Sequence, residues 1–214
     1  MKKNPIIAML AFCFFAGATP FLSAQNASSL FNNSKVPVTW MGVDFTQVKV
    51  LGETGTVSAV EMIDLFGKIN DLIINESEKY NIREALRRTE VPYDLDAVTK
   101  ANAGIDPDEL ISNKSGDKGR VSEETIAKAV KKYTSKAEGA GLVFFMETLD
   151  KPIEKAVMWV TFFDLGSGNV LLTEKLEGKA QGFGFRNHWA RPVYNVLKDI
   201  EKKRYDAWKS KYRK

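Results

Sequence analysis

Two stretches limit the fold more than anything else in this sequence: LVFFM at 142–146 and AVMWVTFF at 156–163. Runs this continuous lack the in–out alternation of a strand with one wet face, so they predict central strands covered on both faces. The turn chemistry of DLGSGN at 164–169 then returns the chain as a hairpin over 170–176.

Two-sided coverage demands helices, and the sequence provides them. Ser58 with Glu61 three residues on is a capping box, and Met62, Leu65, Phe66, Ile69, Leu72 and Ile73 follow at helical spacing. A second helix is expected over 76–88, with Tyr80, Ile82 and Leu86 facing inward, until Pro92 interrupts it. Ser122 followed by Glu123 and Glu124 starts another, with Ile126, Val130 and Tyr133 on its buried face. A last helix is expected from about Asn187, its inner face built from Trp189, Val193, Val196, Leu197 and Ile200. Pro192 fits that helix only in the first turn or at a kink.

Upstream, Val36, Val38, Trp40, Val43 and Phe45 alternate as a strand does, but Val48 and Val50 fall on the opposite parity. A bulge near Thr46 and Gln47, or a strand buried on both faces, accounts for the change. Residues 91–121 are rich in Asp, Gly and Pro and read as loops with a short helix or two. The expected architecture is a single α+β (mixed α/β) domain over 36–214: a mixed sheet with a C-terminal hairpin, covered by helices. Polar residues 25–35 read as a flexible leader to it.

The first 24 residues carry Lys2 and Lys3, no acid, a short apolar run and then small residues through Ala24. That is the layout of a secretory signal peptide, with cleavage expected after Ala24, and it implies a periplasmic, outer-membrane-associated or secreted destination. Cys13 follows the bulky Phe12 and lies inside the apolar run, which argues against a lipoprotein. Cleavage removes that only cysteine, so thiol catalysis, iron–sulfur ligation and cysteine zinc sites are excluded. Cleavage also removes two of the 31 basic residues against 27 acidic ones. Residues 198–214 hold eight basic and three acidic residues, so the net positive charge that remains belongs to this tail. There, basic residues interleave with Tyr205, Trp208 and Tyr212, a pattern suited to an anionic membrane surface or to a solvated helix end. Nucleic acid is not an expected partner of an exported chain.

His188 is the only histidine, and no G-x-S-x-G elbow is present, so Ser–His–Asp hydrolysis and histidine zinc catalysis lack their parts. Glu147, Asp150 and Asp164 stand at the ends of the central strands, where a glycosidase pair is conceivable. Turn and strand-end capping is the simpler role for them. Asp94-x-Asp96 and Asp106-x-Asp108 do not follow the EF-hand spacing. No metal or cofactor is expected. Gly182-Phe183-Gly184 ahead of a helix offers backbone N–H groups to an anion but lacks the rest of a nucleotide fingerprint. Next to it, Arg186, Asn187, His188, Trp189 and Arg191 gather two guanidinium groups, an amide, an imidazole and an indole at a helix start. They form the candidate ligand- or partner-binding set. In the competing view Asn187 is the N-cap, Trp189 is core and the arginines pair with surface acids.

The stretch VMWVTFFDLGSGNVLLTEKLEGKAQGFGFRNHWARPVYNVLKDI resembles uncharacterised exported proteins of Gram-negative envelopes. More distantly, it resembles the α/β domain shared by curli-secretion lipoproteins and the TolB N-terminal domain. Asp164, Gly166, Gly168 and Val170 carry the likeness: an apolar strand ending in an acid, a glycine turn, a second strand and a long helix. The lipid-bearing cysteine and the propeller or pore segments of those proteins have no counterpart here. The resemblance implies an envelope assembly or interaction role and transfers no catalytic residue. The expected function is therefore an exported module, more a binder than an enzyme, for an envelope protein or polysaccharide. A glycan-active hydrolase and a small-ligand-binding module are the alternatives.

Overall fold

The computed structural model describes residues 26–52, 55–114 and 117–213, so the expected export signal over 1–24 lies outside the described residues. Strands β4 (Ala140–Asp150), β5 (Lys155–Asp164) and β6 (Val170–Lys179) form an antiparallel meander. β1 (Val38–Asp44) and β2 (Lys49–Leu51) run parallel to β4 along its other edge, one after the other, and the two-residue β3 (Ile111–Ser112) extends the sheet beyond β2. The result is a mixed six-stranded sheet in an α+β fold, as the sequence predicts.

Side chains of β4 and β5 alternate between two apolar layers. Leu142, Phe144, Met146, Met158, Val160 and Phe162 face the larger core. That core is closed by α2 (Ala59–Asn75), the one-turn α3 (Ile82–Ala85), α6 (Phe185–Asp199) and α7 (Tyr205–Lys211). Val143, Phe145, Trp159 and Phe163 face a smaller core under α4 (Asp96–Asn102), α5 (Glu123–Ala129) and the 3-10 turn Val130–Tyr133. The unbroken apolar runs thus serve two layers at once.

Several elements depart from expectation. The polar leader is not a loose tether: Ala27–Asn32 forms α1, capped by Asn26, with Leu30 and Phe31 buried. Phe31 meets Phe162, Tyr205, Trp208 and Tyr212, and the Arg88 guanidinium donates to the carbonyls of Leu30 and Asn33. Two apolar residues among polar ones were enough, because a hydrophobic site awaited them on the far side of the chain. The helix expected over 76–88 is reduced to α3, although Tyr80, Ile82 and Leu86 are buried as its pattern predicts.

Between β1 and β2 a turn at Thr46 and Gln47 flips the side-chain parity, at the position the alternation predicts. A second irregularity occurs at Gly42, whose φ of 104° only glycine adopts without strain. The outer edge of β1 is closed without another full strand. Trp40 exchanges backbone hydrogen bonds with Pro92 and Asp94, and the amides of Asn70 and Asn102 bond Val43 and Phe45.

The last helix begins at Phe185, not at Asn187, and Pro192 lies in its interior. Without an N–H, Pro192 offers no donor to the His188 carbonyl. Gly178 of β6 lets that turn come close, since a Cβ there would stand 2.4 Å from the Pro192 carbonyl oxygen. A five-residue π segment, Ile200–Arg204, links α6 to α7. Among the described residues no helix is long and apolar enough to cross a membrane.

Candidate functional site

The C-terminal ends of the parallel strands β2 and β4, the β4–β5 turn and the β6–α6 loop meet at one end of the sheet. Ligands commonly bind beyond the carboxyl ends of parallel strands. A cleft of about 200 Å³ opens there. Val50, Val57, Phe185 and Trp189 form its apolar wall, and Lys151 and His188 supply its polar groups.

The local sequence explains the shape. Gly182 (φ 120°) and Gly184 (φ 75°) bracket Phe183 and turn the chain from β6 into α6. Positive φ at both positions requires glycine and leaves Phe183 pointing away from the core, 96% exposed. Gly184 is the N-cap of α6, so no side chain caps this helix, and its first turn holds no acidic residue. The first N–H groups of a helix have no partner within it, and the helix dipole makes that end positive. The Lys151 ammonium, 3.7 Å from the Glu154 carboxylate, adds a cationic group to the same cleft.

His188 is 9% exposed. Its Nδ1 lies 3.4 Å from the Gly182 carbonyl oxygen, and its ring meets Trp189 edge-on at 4.8 Å. A carbonyl oxygen only accepts, so Nδ1 is the protonated nitrogen and Nε2 carries a lone pair. Nε2 is buried and has no hydrogen-bond partner. Burial holds the imidazole pKa below its ordinary value; the nearby Lys151 charge lowers it further, against weaker opposing effects of the Gly182 carbonyl and Glu154. Both effects favour the neutral imidazole.

The five residues singled out from the sequence do not converge on one point. His188 lines the cleft, and Trp189 does so from within the core, 2% exposed. Arg186 and Asn187 stay at the surface, where the guanidinium donates to the Asn187 amide oxygen at 3.2 Å. Arg191 packs its guanidinium over the Tyr194 ring at 4.3 Å, with Nε buried and without a hydrogen-bond partner. Asn187 is the third helical residue rather than the cap. Neither arginine forms an ion pair among the described residues. Lys151, Val50 and Val57 were missed, because only folding brings them to the loop. The exposure of Phe183 had a visible signal: an aromatic ring held between two glycines.

The strand-end acids are engaged elsewhere. Glu147, 1% exposed, accepts from Gly119 N at 2.6 Å and Trp159 Nε1 at 2.8 Å and pairs with Lys175 at 3.0 Å. Asp150 pairs with Lys118 at 2.5 Å, and Asp164 accepts from Ser167 N at 2.7 Å in the hairpin turn. Asp94 and Asp106 accept from backbone N–H groups two residues on. Among the described residues no three potential ligands gather as a metal site.

The tail aromatics belong to the core: Tyr205 and Trp208 are 5% and 3% exposed, and Trp208 Nε1 donates to Glu174. In comparisons with known proteins, no family model matches this chain and no curated protein matches it.

Proposed function

We propose that this chain is an exported interaction module of the cell envelope that binds a partner through the rim of the α6 cleft. One observation carries the reading. Phe183 stands 96% exposed on a glycine-bracketed loop at the mouth of an apolar cleft. An aromatic ring in that position contributes nothing to the core, and exposed apolar groups gathered in one place mark contact surfaces.

The surroundings support it. Ile153, 56% exposed, is two residues from Lys151, and Val60, 68% exposed, is three from Val57. Three of the five large hydrophobic residues exposed among the described residues are thus within three positions of residues that line the cleft. The export signal expected over 1–24 and the envelope resemblance support a partner outside the cytoplasm. The acids that a hydrolase reading requires are instead tied into ion pairs and turns.

A photo-crosslinking amino acid at position 183 in intact cells tests the reading, with exposed Glu123 of α5 as the control position. Discrete adducts from position 183 and none from 123 are expected. No adduct from position 183, or the same adducts from both, overturns it. Phe183→Ser should leave stability within about 0.5 kcal/mol of the parent, so lost binding in that variant cannot be blamed on unfolding.

A further inference from the structure

We infer that the cleft receives the C-terminal residue of a partner polypeptide, a free carboxylate beside an apolar side chain. The inference rests on reading this rim as an interaction surface, and it names the chemistry that the surface takes.

Three features of the cleft each ask for a different part of such a ligand. The uncapped start of α6, without an acid in its first turn, presents N–H groups to an acceptor, and Lys151, held only by a long 3.7 Å pair with Glu154, favours a negative one. The buried Nε2 of His188 has a lone pair and no partner, so it asks for a donor. The wall of Val50, Val57, Phe185 and Trp189 asks for an apolar group.

A chain-terminal residue supplies all three: a carboxylate, the N–H of its own peptide bond and a side chain such as Leu or Phe. Backbone N–H groups are a recurring means of capturing a terminal carboxylate. A fatty acid supplies the carboxylate and the apolar part but no donor for His188. Size points the same way. About 200 Å³ holds one side chain and its carboxylate and is below the range for a whole drug-sized ligand. Exposed Phe183, between the cleft-lining Gly182 and Gly184, is then left for the residues that precede the terminus.

The test is a titration of the purified protein followed by amide and imidazole NMR resonances, with N-acetyl-leucine as the probe. The backbone N–H signals of Phe185 and Arg186 and the His188 ring should shift. N-acetyl-leucinamide should bind about tenfold more weakly or worse, since it lacks the charge. 4-Methylpentanoate, which keeps the carboxylate and the branched chain but lacks the N–H, should also bind more weakly. Lys151→Gln, at a half-exposed side chain, should reduce N-acetyl-leucine affinity without unfolding the protein.

Equal responses to acid and amide overturn the inference. So does decanoate or inorganic phosphate matching N-acetyl-leucine, which would make the cleft an amphiphile or simple anion site. No shift with any probe overturns it too. Crosslinks at position 183 that persist while N-acetyl-leucine fails to bind would leave the interaction surface standing and remove only the terminal carboxylate.

Discussion

Asn70 and Asn102 close the outer edge of β1, and removing both should cost more than the two separate losses. Val43 N–H donates to Asn70 Oδ1 at 2.7 Å and Phe45 N–H to Asn102 Oδ1 at 2.8 Å, while the Val43 carbonyl accepts from both amide groups at 3.0 Å. Val43 and Phe45 are fully buried, so water cannot replace a lost partner. Asn70→Ala strands the Val43 N–H, and Asn102→Ala strands the Phe45 N–H. Each unsatisfied buried donor costs about 1–3 kcal/mol, which puts each single variant near 2 kcal/mol. In either one the Val43 carbonyl keeps one bond. Only the double variant leaves that carbonyl bare, adding a further penalty of about 1 kcal/mol or more beyond the sum. Urea denaturation followed by tryptophan fluorescence measures all four proteins, with unchanged m-values as the check that only stability moved. Additivity to within about 0.5 kcal/mol would refute the shared-carbonyl argument.

Other outcomes follow from the same geometry. Glu147→Ala should destabilise by about 3 kcal/mol or more, because it strips a buried ion pair and leaves Trp159 Nε1 and Gly119 N–H without their acceptor. A loss below about 1 kcal/mol in urea denaturation would contradict that role. Phe31→Ala should cost about 3–5 kcal/mol, the expense of emptying a core aromatic site, whereas a loose leader would show almost none. His188, facing Lys151 and Glu154 across the cleft, has its pKa held below the ordinary 6.5, so the folded protein takes up its proton later than the unfolded chain does. Stability should be fully present above pH 6.5 and fall as the pH drops through the lowered value, with a slope from this group of at most about 1.4 kcal/mol per pH unit. His188→Phe should flatten that slope in denaturation curves recorded from pH 7.5 down to about pH 5; an unchanged slope would assign it to other groups.

Much of the frame was legible in the sequence because the signals were local. The apolar runs at 142–146 and 156–163 became β4 and β5, the 164–169 turn joined β5 to β6, and Ser58 and Ser122 cap α2 and α5. The parity change near Thr46 marked the break between β1 and β2. Where expectation failed, the deciding partner lay far along the chain. Phe31 is core only because the α6–π–α7 rod returns Tyr205 and Trp208 to it. The tail aromatics look interfacial until that contact is known.

The cleft divides in the same way. Residues 182–189 announced a glycine-bracketed phenylalanine, a helix start and the single histidine, all fixed by covalent neighbours and backbone rules. Sequence patterning thus determined the layered α+β scaffold and half of this mouth. Tertiary structure alone decided that Lys151 from the β4–β5 turn, Val50 from β2 and Val57 from just ahead of α2 would form the other half, and that burial would leave His188 Nε2 without a partner. Lys151 comes from 31 positions before Gly182, Val50 and Val57 from more than a hundred, and only the packing of helices onto the sheet specifies these contacts.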